Sequence, residues 1–192
     1  MKKPHILGVV LTIVYFLSAA LITSGQETFT GTVLKYGSGV YTGLRTANFT
    51  LRLKGVTPDD QAQRNLALLQ ESGQDAVLKA IRGQDLGSFS LDTSLARTVN
   101  AVREVNTGGK RKIYVVFERW EQFAELRGGY RSLDYPFGYI ELTIDPATGK
   151  GEGQYFAAAK IRWKKDKGNV EIEDYATFPA KLVNVETTRA KP

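Results

Sequence analysis

The sequence predicts a mainly β domain of the α+β type: an antiparallel β-barrel or a two-layer sandwich of about eight strands with a short helical insertion. Apolar and polar residues alternate over Ala47 to Lys54 and again over Tyr139 to Asp145, which is typical of strands with one buried face. Glycine-rich turns separate such segments. Over residues 57–83 the alternation gives way to helical spacing of the apolar residues.

Two strands joined by a tight turn form the predicted centre of the sheet. We expect a first strand over Tyr139 to Asp145, a glycine-rich turn that extends to Gly153, and a return strand over Tyr155 to Trp163. Strict alternation along the return strand places Tyr155 and Ala159 on the same face.

The segment from Lys112 to Arg119 has apolar residues on both of its faces. It therefore predicts a central strand that is covered on both sides. The residues are Ile113, Val115 and Phe117 on one face, and Tyr114 and Val116 on the other.

The helical insertion begins at Thr57-Pro58-Asp59-Asp60. Thr57 can cap free backbone N–H groups, proline suits the first helical position, and two carboxylates face the positive end of the helix dipole. Gly73 ends the first helix, and Gly83 ends a second, shorter one. Because both helices are amphipathic, we expect the pair to cover an opening or an edge of the sheet. The apolar positions are Ala62, Leu66, Leu69, Val77, Leu78 and Ile81.

The beginning of the chain is typical of a secretory signal. Lys2 and Lys3 precede the uncharged run from Ile6 to Leu17, and small residues follow. Cleavage after Ala20 and cleavage after Gly25 both satisfy the small-residue rule, and an uncleaved membrane anchor is the competing interpretation. We expect a signal peptide over residues 1–25, a single β-rich domain over 26–192, and no stable membrane insertion after cleavage.

The composition restricts the chemistry of the exported domain. The chain has no cysteine, and its one histidine, His5, lies in the predicted signal. Ser-His-Asp triads, Cys-His nucleophiles and metal sites with nitrogen or sulfur ligands are therefore excluded, and we expect no cofactor and no metal. Export without disulfides favours the periplasm or the outside of a bacterial cell. The net charge of +6 is spread along the chain, so we expect no nucleic-acid partner.

An aromatic segment with one arginine is the candidate ligand-binding site. Aromatic faces and a guanidinium suit an amphipathic ligand with an acidic head, and the segment would form the rim of a ligand-binding mouth. The competing interpretation is that the rings are core side chains that plug the end of the barrel. The candidate residues are Trp120, Phe123, Tyr130, Arg131, Tyr135 and Phe137.

Three classes of function fit these observations. The first is an exported, non-enzymatic binding module that holds a small apolar or amphipathic ligand in the barrel or sandwich. The second is a structural or protein-interaction domain of the bacterial envelope, with an envelope protein as partner. The third is a carboxylate-based hydrolase, for which the acids at Glu171, Glu173 and Asp174 or beside Trp120 are the candidates.

Overall fold

One antiparallel sheet of ten strands dominates the structure. The computed structural model describes residues 26–36, 43–119, 131–175 and 178–189. The helices are α1 (Asp59–Ser72) and α2 (Gln74–Ile81), and residues Arg131–Asp134 form a short 3-10 helix. The strands are β1 (Glu27–Tyr36), β2 (Leu44–Leu53), β3 (Gly87–Leu91), β4 (Arg97–Thr98), β5 (Ala101–Thr107), β6 (Lys110–Glu118), β7 (Phe137–Ile144), β8 (Lys150–Lys164), β9 (Asn169–Asp174) and β10 (Ala180–Arg189).

The sheet curls because its two terminal strands are consecutive in the chain. The strand order is β4-β3-β2-β1-β10-β8-β7-β6-β5, and β9 pairs with β8 beside this path. Between β4 and β5, the Val99 N–H donates to the Gly87 carbonyl at 2.9 Å, and the Asn100 N–H donates to the Val116 carbonyl at 3.0 Å. The two ends of the sheet are thus bonded to the same short stretch of backbone. The predicted mainly β, barrel-like fold with a helical insertion is confirmed.

The concave side of the sheet encloses the main hydrophobic core. The ring of Phe89 lies at its centre, with centroids 5.4 Å from Phe117 and 5.0 Å from Tyr155. Residues at alternate positions of β6 and β7 fill the space around these rings, as the pleat of a strand requires. The buried members of this core are Phe29, Val33, Phe49, Leu51, Leu53, Phe89, Val99, Val102, Ile113, Val115, Phe117, Ile140, Leu142, Ile144, Ala180, Leu182 and Val185.

The convex side of the sheet carries a second core beneath the two helices. Tyr114 and Val116 of β6 face this side, so the strand is covered on both faces, as its sequence predicts. Helices α1 and α2 form within the segment where the apolar spacing predicts them. The buried members of this second core, the outer-face core, are Leu69, Val77, Ile81, Phe137, Tyr139, Ala159 and Ile161.

A register shift in β8 reverses which residues face the interior. Tyr155 pairs with Ile140 and packs in the main core, whereas Ala159 pairs with Phe137 and lies in the outer-face core. The prediction that Tyr155 and Ala159 share a face is therefore wrong. A bulge adds one residue to one strand, and each added residue exchanges the two faces of the strand beyond it.

Two of the glycines assigned to the predicted turn, Gly151 and Gly153, lie inside a strand. The turn ends at Gly149, and β8 already begins at Lys150. A Cβ on Gly153 would lie 2.1 Å from the carbonyl oxygen of Glu141, so the backbones of β7 and β8 approach too closely here for a side chain. This position is a site of close strand packing rather than of chain reversal.

A buried cluster of ion pairs joins three strands across the interior. The Arg111 guanidinium on β6 donates to both carboxylate oxygens of Glu27 on β1 at 2.6 Å, and also to Glu104 on β5. The Thr187 hydroxyl donates to Glu27 at 2.7 Å. Burial lowers the pKa of Arg111, but the hydrogen bonds to Glu27 and Glu104 outweigh it and raise the pKa above its usual value. Since three strands separate β1 from β6 in the sheet, the ion pair between Glu27 and Arg111 joins opposite sides of the curled sheet.

We expect Arg111→Met to lower the free energy of unfolding by about 3–5 kcal/mol, because it removes the two charge-assisted hydrogen bonds that the buried Glu27 carboxylate accepts from the guanidinium. Lys54→Met is the matched control: it removes the exposed pair with Asp85, in which both side chains are more than half exposed, and should cost less than about 1 kcal/mol. Urea unfolding measures both values. Equal losses for the two variants would contradict the role assigned to Arg111.

We expect Gly138→Ala to be destabilising by about 1–3 kcal/mol, because the added Cβ would lie 2.1 Å from the ring of Phe117 in the core. Gly83→Ala makes the same change where no atom lies within 4 Å, and it should leave stability nearly unchanged. Thermal unfolding of the two variants compares them. If Gly138→Ala unfolded at the temperature of the unmodified protein, the close packing of β7 against Phe117 would be disproved.

Candidate functional site

A groove between helix α1 and the convex face of the sheet is the candidate functional site. Its volume is about 670 Å³, and it opens to solvent. The helices and strands β5 to β9 supply its walls. Its lining residues are Thr57, Asp59, Ala62, Gln63, Asn65, Leu66, Leu69, Val77, Ile81, Ala101, Val102, Arg103, Tyr114, Val116, Tyr139, Ile161, Val170 and Ile172.

Apolar side chains form most of the groove surface. The helix wall carries Leu66 and Leu69 at helical spacing, and the sheet wall carries outward-facing residues such as Val116 and Ile172. Leu66 and Val170 remain 38% and 42% exposed at the opening. The helices therefore cover the apolar convex face only in part, and an apolar channel is left beside them.

The start of the helical insertion is fixed to β5 through Thr57. The Thr57 N–H donates to the Val102 carbonyl at 2.9 Å, and the Thr57 hydroxyl accepts from the Val102 N–H at 2.9 Å. The prediction that Thr57 caps α1 is wrong, because Pro58 is the N-cap residue and no side-chain cap bond forms. The Thr57 hydroxyl accepts its hydrogen bond from Val102 on β5, which is distant in the chain, and not from an N–H group of the helix that follows it.

The junction of the two helices is fixed to β8. The Gln74 side-chain amide donates to the Asp134 carbonyl at 2.9 Å, and its oxygen accepts from the Ile161 N–H at 3.2 Å. One side chain at the start of α2 thus satisfies groups from two other parts of the fold. These two bonds of Gln74 fix the distance between the helices and the sheet.

The end of α2 is fixed to β6 and to the β4–β5 connection. Arg82 donates two hydrogen bonds to the Glu118 carboxylate, at 2.7 and 2.9 Å. The buried Asn100 amide donates to the carbonyls of Arg82 and Gln84, and its oxygen accepts from the Glu118 N–H at 2.9 Å. With three separate attachments, the helix wall is held in place and the groove is preformed.

Polar groups form the smaller part of the groove lining, and Gln63 and Asn65 on α1 are among them. Arg103 pairs with Asp59 at the rim, and both side chains are at least half exposed. Tyr114 and Tyr139 also line the groove, and neither hydroxyl makes a hydrogen bond within the part of the chain that the structure describes. Burial, together with the nearby Glu141 and Tyr114, raises the pKa of Tyr139, so this phenol is neutral at ordinary pH. Tyr139 is buried in the outer-face core, so the partly exposed Tyr114 is the phenol that a bound molecule can reach.

The residues predicted to bind a ligand lie apart from the groove where the structure describes them. Trp120, Phe123 and Tyr130 fall outside the described residues, and Arg131 begins the 3-10 helix. Tyr135 is buried and Phe137 is fully buried in the outer-face core, and neither lines the groove. Their part in ligand binding stays a prediction.

Tyr135 has polar contacts of its own. Its hydroxyl donates to the Glu173 carboxylate, its ring meets Tyr175 with centroids 5.3 Å apart, and the Lys160 ammonium lies 5.8 Å from its ring centre. These contacts attach the chain that enters β7 to the β8–β9 hairpin.

The candidate acids of β9 are engaged in ion pairs. Glu173 pairs with Arg162, and Glu171 lies 3.2 Å from the Lys164 ammonium. Among the described groove-lining residues, Asp59 is the one carboxylate. The groove therefore does not bring together the two carboxylates that general acid–base hydrolysis uses.

Two features are absent from the described residues. They contain no group of three or more His, Asp or Glu side chains placed to hold a metal ion. Neither do they contain a helix of the length and apolarity that crossing a membrane requires.

Sequence reasoning missed the groove although it identified both of its walls. It predicted the apolar face of α1 and the outward Tyr114 and Val116, but it placed the helices over an opening or an edge of the sheet, whereas they pack on its convex face. The separation of the walls depends on Thr57, Gln74 and Asn100, whose bonds reach distant parts of the chain. The only signal in the sequence was a strand with more outward apolar surface than two short helices can cover.

Comparison with known proteins gives no family assignment. No protein-family model matches the chain, and no curated protein or solved structure is significantly similar to it. The function is therefore inferred from the shape, lining and charges of the groove.

We expect Phe137→Ala to lower the free energy of unfolding by about 3–5 kcal/mol, because it opens a cavity at a fully buried position. Tyr135→Phe keeps the ring and removes the hydroxyl that donates to Glu173, so it should cost about 1–3 kcal/mol. Urea unfolding gives both values. A cost near zero for Phe137→Ala would instead favour the predicted mouth, in which the ring faces a ligand.

Proposed function

We propose that this protein is an exported, non-enzymatic binding module that holds a small apolar or amphipathic ligand in the groove between α1 and the convex face of the sheet. The observation that carries the proposal is the groove itself: a preformed channel of about 670 Å³ with an apolar lining and a few convergent polar groups. Ligand pockets in proteins have volumes of about 300 to 1,000 Å³ and the same balance of apolar and polar lining.

The exposed apolar side chains supply the driving force for binding. Leu66 on the helix wall and Val170 on the sheet wall are partly exposed on opposite sides of the opening. A ligand between them would remove both from water together with its own apolar surface, and each methylene group that leaves water contributes about 0.8 kcal/mol. The groove thus favours a molecule with an elongated apolar part.

A protein partner at β9 is the second candidate. Within the described residues β9 pairs with β8 alone, so one row of its backbone groups is available for strand addition. The alternating Glu171 and Glu173 place charge along this edge, however, and charged edge strands resist pairing. The groove is therefore the better-supported site.

The test compares two substitutions on the same helix. Ala62 lines the groove, whereas Ala67 faces solvent. We expect Ala62→Trp to fill the groove and to weaken binding of a neutral solvatochromic dye such as Nile red at least about tenfold. Ala67→Trp should leave dye binding unchanged, because its indole points away from the groove. Fluorescence titration measures the affinities.

Thermal unfolding of both variants shows whether the fold is intact. Dye binding that is equal in the unmodified protein and in a folded Ala62→Trp variant would reject the groove as the site. Absence of dye binding by the unmodified protein would reject the proposed function.

A further inference from the structure

We propose that the ligand of the groove is an amphiphile with a carboxylate head, which Arg103 and Tyr114 bind at the rim while the apolar chain lies along the floor. This inference rests on the proposed function and specifies the chemical class of its ligand. It follows from the few polar groups of the groove and from their placement.

Arg103 and Tyr114 form one polar pair at the edge of the groove. They lie directly opposite each other on β5 and β6, and both line the groove. Residues opposite each other on one face of an antiparallel pair have side chains close enough to share a ligand. Beyond them the floor continues with Val116, Ile161 and Ile172. The polar pair therefore stands at one end of an apolar surface.

The pairing of Arg103 with Asp59 supports a carboxylate as the head group. Asp59 is 82% exposed, and its carboxylate receives a hydrogen bond from Arg103. A guanidinium has five N–H donors arranged to bind a carboxylate through two of them. Within the described residues this is the one bond that Arg103 makes, so donors remain for a second carboxylate or for one that replaces Asp59.

The surrounding charges leave Arg103 as the cation of the rim. Asp60 is bound to Arg64 one turn along α1, and these two charges offset each other. Glu141, opposite Tyr114 on β7, lies 3.8 Å from the Lys112 ammonium. A cationic head would find Asp59 already paired. A carboxylate head can replace the exposed Asp59 carboxylate at Arg103. It can also accept a hydrogen bond from the Tyr114 hydroxyl.

The experiment measures calorimetric binding of dodecanoate, dodecanol and dodecyl phosphate to the unmodified protein and to three variants. We expect Arg103→Gln to weaken dodecanoate binding about tenfold or more, since a charge-assisted bond is lost, and to change dodecanol binding less than twofold. Asp59→Asn removes the competing carboxylate and should strengthen dodecanoate binding. Arg64→Gln removes the same charge from a residue that does not line the groove, and it should have little effect.

The outcomes separate this inference from the proposed function. If dodecanol and dodecanoate bind equally and Arg103→Gln affects neither, the head-group assignment fails while the groove remains a binding site. If dodecyl phosphate binds at least tenfold more tightly than dodecanoate, the head is a phosphate and the carboxylate assignment is overturned. If none of the three binds, the proposed function fails.

Discussion

Burial of apolar side chains on both faces of β6 and β7 is the constraint on which the rest of the structure depends. The concave face is enclosed when the sheet curls around Phe89 and Phe117. The convex face would remain in water without the helical insertion, and the cost of exposing so much apolar surface explains why the insertion packs there. Two helices of 14 and 8 residues are too short to cover all of it, and the groove is the uncovered remainder.

The polar residues of the fold position this covering layer rather than drive its formation. Thr57, Gln74 and Asn100 each satisfy backbone groups that would otherwise lose water on burial, and each links the insertion to a different strand. Hydrogen bonds of this kind contribute modest net free energy, but leaving their partners unpaired would be costly. They therefore select one height and one angle for α1 among the many that apolar contact alone would tolerate, which is what a binding groove of fixed width requires.

The sequence predicts local structure well here and long-range structure poorly. Alternation identifies β2 and β7, and proline, aspartate and glycine mark the ends of α1, because these signals depend on neighbouring residues. Tyr155 and Ala159 lie on opposite faces because of a bulge in β8. The bulge requires no particular residue type and does not interrupt the alternation in the sequence, so the sequence does not reveal it. The groove depends on the distance between α1 and the sheet, and a single sequence contains no information about that distance. The aromatic segment remains a prediction, with its two described rings, Tyr135 and Phe137, buried.

The position of β10 affects how the chain reaches this structure. In the sheet β10 lies between β1 and β8, although it is the last of the ten strands to be synthesised. Without β10 the strand order breaks between β1 and β8, and the two resulting sets, β1 to β4 and β5 to β9, remain joined through the β4–β5 connection. Contacts between residues so far apart in the chain slow folding, because the closure entropy is lost before the contacts form. The sheet can therefore be completed only after synthesis of β10, and the chain stays open until then.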